Sequence, residues 1–174
     1  MKNALVSIII IAFALTLSAQ AAEISTKISD VHLCCQSCVK GVKKAVADIK
    51  DVKADVDQDA ETVTLTGSDK AAVQKAADAL VAAGYFGKSS NADVKLATDT
   101  GAKGTKVQTL KLEGVHLCCG KCVTAVGKAL EKVKGVTSNT AEKNAKSFEI
   151  KGDFNPKEVF AALNHAGLTG KAAN

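Results

Sequence analysis

A nine-residue string occurs twice in this chain of 174 residues, identical at seven positions, and it constrains the fold more than any other feature. Val31-His32-Leu33-Cys34-Cys35-Gln36-Ser37-Cys38-Val39 returns as Val115-His116-Leu117-Cys118-Cys119-Gly120-Lys121-Cys122-Val123. All six cysteines lie in these two copies, as do two of the three histidines. The chain therefore builds one unit twice, and each unit carries three thiols.

The flanking pattern repeats as well. In the first unit Ile24, Thr26 and Ile28 alternate with polar residues, which predicts a strand entering the cysteine loop. Val39, Val42, Val46 and Ile49 then recur at helical spacing, with Lys40, Lys43 and Lys44 turned away. Asp51 breaks that pattern. Val52, Ala54 and Val56 alternate again, Asp57-Gln58-Asp59 reads as a turn, and Val63 and Leu65 make a third strand ending at Gly67. Ser68 is the expected N-cap of a helix over about 69–83, and Gly84 stops it where a left-handed backbone is needed. A short strand over 85–89 closes the unit.

The second unit repeats the order. Val107, Leu110 and Leu112 mark its first strand, and Val123, Val126, Leu130 and Val133 mark its first helix. Val136 answers Val52, and Phe148 with Ile150 answers Val63 with Leu65. Asn155 caps the second helix, Pro156 lies in its first turn, and Gly167 ends it as Gly84 did. Strand, helix, strand, strand, helix, strand is the split βαβ order. The predicted fold is α+β: two tandem ferredoxin-like βαββαβ sandwiches, each a four-stranded antiparallel sheet with two helices on one face. The units span 23–91 and 105–174. Residues 92–104, rich in Asp, Thr, Gly, Lys and Ala, read as a flexible linker, with Val94 and Leu96 as an alternative extension of the last strand.

Lys2, the apolar run Ala4 to Leu17 and the Ala19-Gln20-Ala21 cleavage pattern predict a secretory signal peptide over 1–21. The run is short for a membrane span, and no cysteine at the cleavage point suggests a lipid anchor. The expected compartment is periplasmic or extracellular, without stable membrane insertion, and it permits disulfides. Every basic residue is Lys and only 3% of the residues are aromatic, which argues against a nucleic-acid surface.

Cys35 and Cys38, and likewise Cys119 and Cys122, fall where a strand ends and a helix begins. Two thiols three residues apart there converge on one spot. The helix N-terminus favours thiolate over thiol. Converging thiolates suit a soft ion: Cu(I), Zn(II), Cd(II) or Hg(II). No carboxylate pair, phosphate loop or nucleophile–base arrangement is present, so no enzyme is expected.

A CxxC at the head of a helix in a βαββαβ unit of this size resembles the heavy-metal-associated (HMA) domain. That family includes copper chaperones, the periplasmic mercury-binding protein and the N-terminal modules of metal-transporting P-type ATPases. The resemblance covers both units. It implies metal ligation by Cys35 and Cys38 in one and by Cys119 and Cys122 in the other, with Tyr85 and Leu168 beside those sites. It also implies a metal-transporting membrane protein or another thiol-bearing metal carrier as partner. The chain departs from the family pattern at Leu33 and Leu117, which take the usual Met position, and at His32 and His116, which stand where Gly is expected. Gly114 sits two residues too early, and no Met remains after the signal sequence, which excludes thioether copper chemistry.

Cys34 and Cys118 give each motif a third thiol, as a ligand, a redox partner or an inert buried group. His32 and His116 stand as accessory ligands or as loop-shaping residues, Tyr85 as an accessory or a packing residue, and His165 as a helix-end residue. Two other readings compete with metal binding: a thiol–disulfide redox protein and a disulfide-stabilised scaffold. Three thiols per unit prevent full pairing within a unit, which favours metal or a bridge between units. Whether the units bind ions separately or clamp one between them is open at this level.

Overall fold

The protein is represented by a computed structural model that describes residues 23–96 and 99–173. The signal peptide expected over 1–21 lies outside the described residues. The first repeat runs β1 (Ile24–Ser29), α1 (Gln36–Val46), β2 (Val52–Asp57), β3 (Thr62–Gly67), α2 (Lys70–Ala82) and β4 (Lys88–Ser89). The second runs β5 (Val107–Glu113), α3 (Gly120–Leu130), β6 (Val136–Asn139), β7 (Ser147–Phe154), α4 (Pro156–His165) and β8 (Lys171–Ala172). The sheets are ordered β2-β3-β1-β4 and β6-β7-β5-β8, every pair antiparallel. Both repeats thus have the predicted ferredoxin-like α+β architecture.

The alternation in each strand decides which face is dry. Thr26 and Ile28 on β1 stand opposite Leu65 and Val63 on β3, and all four are buried. Val39, Val42 and Val46 from α1 and Val73, Ala76, Ala77 and Leu80 from α2 cover that face. In the second repeat Leu112 and Phe148, with Leu110 and Ile150, form the same paired layer beneath Val126, Leu130, Val159 and Leu163. Burying a side chain of this kind is worth about 1.5–3 kcal/mol, so such layers provide most of the driving force for each sandwich.

Several local expectations are corrected. Asp69, not Ser68, caps α2: its carboxylate accepts from Ala72 N at 2.9 Å. Ser68 is held outside the helix because its N–H donates to Asp51 O at 3.2 Å. α1 ends at Val46, so Ile49 falls in the turn that follows. The closing strand over 85–89 shrinks to Lys88–Ser89, because Tyr85 pairs with Leu168 of the other repeat instead.

The segment 92–104 does not begin as free chain. Val94 is buried, and Gln74 clamps the segment by bonding Lys95 O at 2.7 Å and Lys95 N at 2.9 Å. Neither Val94 nor Leu96 extends a strand. Val94→Ala is expected to cost about 1–2 kcal/mol through lost burial, read as a lower denaturation midpoint. An unchanged midpoint would mean the segment contributes nothing to the first repeat's core.

Candidate metal centre

Each cysteine loop is shaped by its two ends. Val31 and Leu33 are buried before it, and Val115 and Leu117 are buried at the same places in the second repeat. Cys35 and Cys119 are N-cap residues with extended backbones (φ −164° and −153°), and neither side chain makes a capping bond among the described residues. Cys38 N and Cys122 N donate to the cap carbonyls at 2.9 and 3.1 Å. The thiols therefore sit at the first turns of α1 and α3, where unpaired N–H groups create positive potential. Cys38 and Cys122 are fully buried, while Cys34, Cys35, Cys118 and Cys119 are half-buried.

The two loops meet. Gly84 (φ +86°) lies against Gly114, Val115 and His116, and Gly167 (φ +74°) lies against Asp30, Val31 and His32. Phe86 N donates to Gly167 O at 3.1 Å, and Thr169 N donates to Gly84 O at 3.0 Å. These exchanges are reciprocal, so the repeats dock about an approximate two-fold axis. Only glycine fits at 84 and 167, since a Cβ at either would strike the opposite backbone.

That docking merges both cysteine loops into one cluster. Cys34 Sγ lies 3.5 Å from Cys119 Sγ and 3.6 Å from Cys122 Sγ. Reciprocally, Cys118 Sγ lies 3.7 Å from Cys35 Sγ and 3.5 Å from Cys38 Sγ. Cys35–Cys119 and Cys38–Cys122 close the contact at 3.8 and 4.0 Å. These are contacts between thiols; a disulfide would bring the sulphurs to about 2.05 Å.

Crowding distributes charge unevenly. Contact with the Cys38 thiol holds Cys122 well below the usual thiol range. The same contact, and then burial, pushes Cys38 well above it. Burial also raises Cys34 and takes Cys118 up to about 12. At Cys35 burial acts upward, but the Cys38 N–H, the Cys118 thiol and the Ser37 N–H outweigh it and lower the group to about 6. The first charges enter this cluster readily and later ones do not. A metal cation removes that limit, because it offsets each added thiolate.

Tyr85 and the two histidines break the symmetry. Tyr85 Oη donates to Cys38 O at 2.9 Å and meets His116 Nε2 at 3.0 Å. The single phenolic hydrogen goes to the carbonyl, so His116 donates from Nε2. Burial lowers the His116 pKa, and burial together with nearby thiolate charge holds the Tyr85 phenol well above its ordinary range. Leu168 takes the place of Tyr85 in the second repeat and offers no hydroxyl. His32 Nε2 is correspondingly buried without a hydrogen-bond partner among the described residues. A ring nitrogen of His32 lies within 4.8 Å of the Cys34 and Cys122 sulphurs. Tyr85→Phe should orphan His116 as well, at a cost of about 1–3 kcal/mol. Chemical denaturation measures it, and a loss below about 0.5 kcal/mol would show that the bond is not made.

The structure therefore places Cys34, Cys35, Cys38, Cys118, Cys119 and Cys122 in one cluster, with His32 at its edge and Tyr85 and His116 braced behind it. His165 is the last residue of α4 and is not among these groups. Sequence reasoning did not find the docking role of Gly84 and Gly167. Their shared position before Tyr85 and Leu168 was the available signal, but it reads first as a helix stop.

No protein-family model and no curated protein sequence matches the chain. Among solved structures it is similar to the N-terminal domain of PacS from Synechocystis PCC6803, at 22% identity over 39% of this chain and 100% of that one, with TM-score 0.36. It is also similar to the N-terminal soluble domains of Bacillus subtilis CopA, at 15% identity over 88% and 95%, with TM-score 0.32. A third is the HMA domain of the copper chaperone for superoxide dismutase, at 24% identity over 49% and 85%, with TM-score 0.35.

Proposed function

We propose that this chain is a soft-metal carrier or buffer of the periplasm or extracellular space, and that both repeats serve one shared thiolate site. The convergence of six sulphurs, each repeat's loop touching the other's at 3.5–4.0 Å, carries this reading. Thiols crowded at two helix N-termini have a strong drive to bind a cation, because without one they do not all ionise together. The protein acts by binding, not by catalysis.

Release follows from the burial pattern. Cys38 and Cys122 are closed off, whereas the other four thiols reach the surface in part. An incoming cysteine of a carrier or membrane transporter attacks at the exposed side, displaces one half-buried thiolate, and leaves the inner pair holding the ion until a second exchange. Among the described residues no helix is long and apolar enough to cross a membrane.

Anaerobic titration of the reduced full chain with Cu(I), Cd(II) and Hg(II) tests the reading. A thiolate-to-metal charge-transfer band should grow to a sharp endpoint and vanish in the variant with all six cysteines changed to serine. No uptake by the reduced protein, with cystines between the repeats found by mass mapping, would replace metal binding with the scaffold reading.

A further inference from the structure

We propose that the six sulphurs form a single octahedral cage for a tetranuclear cluster of monovalent soft ions, M4(SR)6, with Cu(I) the fitting ion. This rests on the metal-binding reading above and adds the number of ions, their coordination and the role of the third cysteine in each motif.

The contact pattern carries it. Ten sulphur pairs lie at 3.5–4.0 Å. The sequence neighbours Cys34–Cys35 and Cys118–Cys119 are within 4.8 Å. Each sulphur then has four near neighbours, as each corner of an octahedron does. The opposite corners are Cys34 with Cys118, Cys35 with Cys122, and Cys38 with Cys119.

Four alternate faces of an octahedron share no edge, and every corner belongs to two of them. One such set here is Cys34/Cys35/Cys119, Cys35/Cys38/Cys118, Cys118/Cys119/Cys122 and Cys34/Cys38/Cys122. The first three are compact thiol triads, and the fourth has edges of 3.7, 3.6 and 4.0 Å. Four ions on these faces each gain three sulphurs, and each sulphur bridges two ions.

Size and charge agree. An ion centred in a triangle of 3.5–4.0 Å edges sits about 2.0–2.3 Å from each sulphur, and a small step out of the plane lengthens this toward the roughly 2.3 Å of a metal–thiolate bond. Zn(II) prefers four ligands, which a bare triangular face does not provide. Four monovalent ions against six thiolates leave a net charge of −2, and the N-termini of α1 and α3 both face it. Loading is a balanced exchange without redox change: four M(I) and six thiols give M4(SR)6 and six protons. Without Cys34 and Cys118 only four corners remain and no closed cage exists, which accounts for the doubled cysteine of each motif.

The test is anaerobic Cu(I) titration of the reduced full chain, followed by native mass spectrometry and X-ray absorption. The expected result is cooperative loading to about four ions per chain, three sulphur neighbours per ion and a metal–metal scattering shell. Cys34→Ser with Cys118→Ser, both half-buried, should keep the circular dichroism of the parent while capacity falls at least by half and the metal–metal shell disappears. One or two ions per chain without that shell would overturn the cage and leave metal binding standing. Four ions retained by the double variant would also overturn it. No uptake by the parent would overturn both.

Discussion

Changing Cys119 and Cys122 to serine is expected to weaken soft-metal binding by the untouched first repeat on the order of 100-fold or more. Loss of a mere supporting group around a metal ligand commonly costs 10–100-fold, and in the proposed shared site the groups removed would be ligands themselves. Cys34 has both residues within 3.6 Å, and Cys35 has Cys119 at 3.8 Å. Two separate sites would behave differently: capacity would halve while the Cys35/Cys38 site kept its affinity. Competition against a chromophoric chelator distinguishes the two. The reciprocal variant, Cys35→Ser with Cys38→Ser, should do equal damage because the contacts are reciprocal. Full affinity at half capacity in either variant would dissolve the shared site.

Gly84→Ala is expected to separate the repeats while leaving each one folded. At φ +86° a Cβ is strained, which costs more than the roughly 0.4–1 kcal/mol that a permissive Gly-to-Ala exchange gains. The larger effect is steric. The new carbon points at Gly114 O and His116 N, so the loop carrying Cys118 and Cys119 must retreat. The Thr169–Gly84 bond goes with it. Small-angle scattering should show a larger radius of gyration, with far-UV circular dichroism retained and metal affinity reduced as in the cysteine variants. An unchanged scattering profile with full metal capacity would show that this contact does not hold the repeats together.

The sandwiches were legible in the sequence because alternation and helical spacing report burial within one unit. Thr26, Ile28, Val63 and Leu65 behave as their pattern requires, and so do the cap at Asn155 and the stops at Gly84 and Gly167. The misplaced cap at Ser68 turned on a competing backbone bond to Asp51, which no local rule contains. Val94 lay in a stretch of loop-forming residues, and only the reach of Gln74 from α2 brings it inward. The cysteine motif was legible as a pair of thiol sites, but their fusion was not. Fusion depends on two glycines whose small size matters to a surface in the other repeat, and periodicity within one repeat carries no information about that surface. The division of roles between His32 and His116 has the same origin, since it follows from Tyr85 against Leu168 across the docking contact.

The approximate two-fold axis also has a consequence for concentration. A lone repeat holds only half the thiols and half the docking contacts, so it would need to meet a second copy before it could enclose anything. Joining the halves through residues 92–104 makes that meeting intramolecular, at an effective concentration that short tethers set near the millimolar range. The enclosure then forms as readily at low protein concentration as at high. It also frees the halves from being identical, so that one can keep a tyrosine where the other keeps a leucine, and the enclosure acquires two different sides.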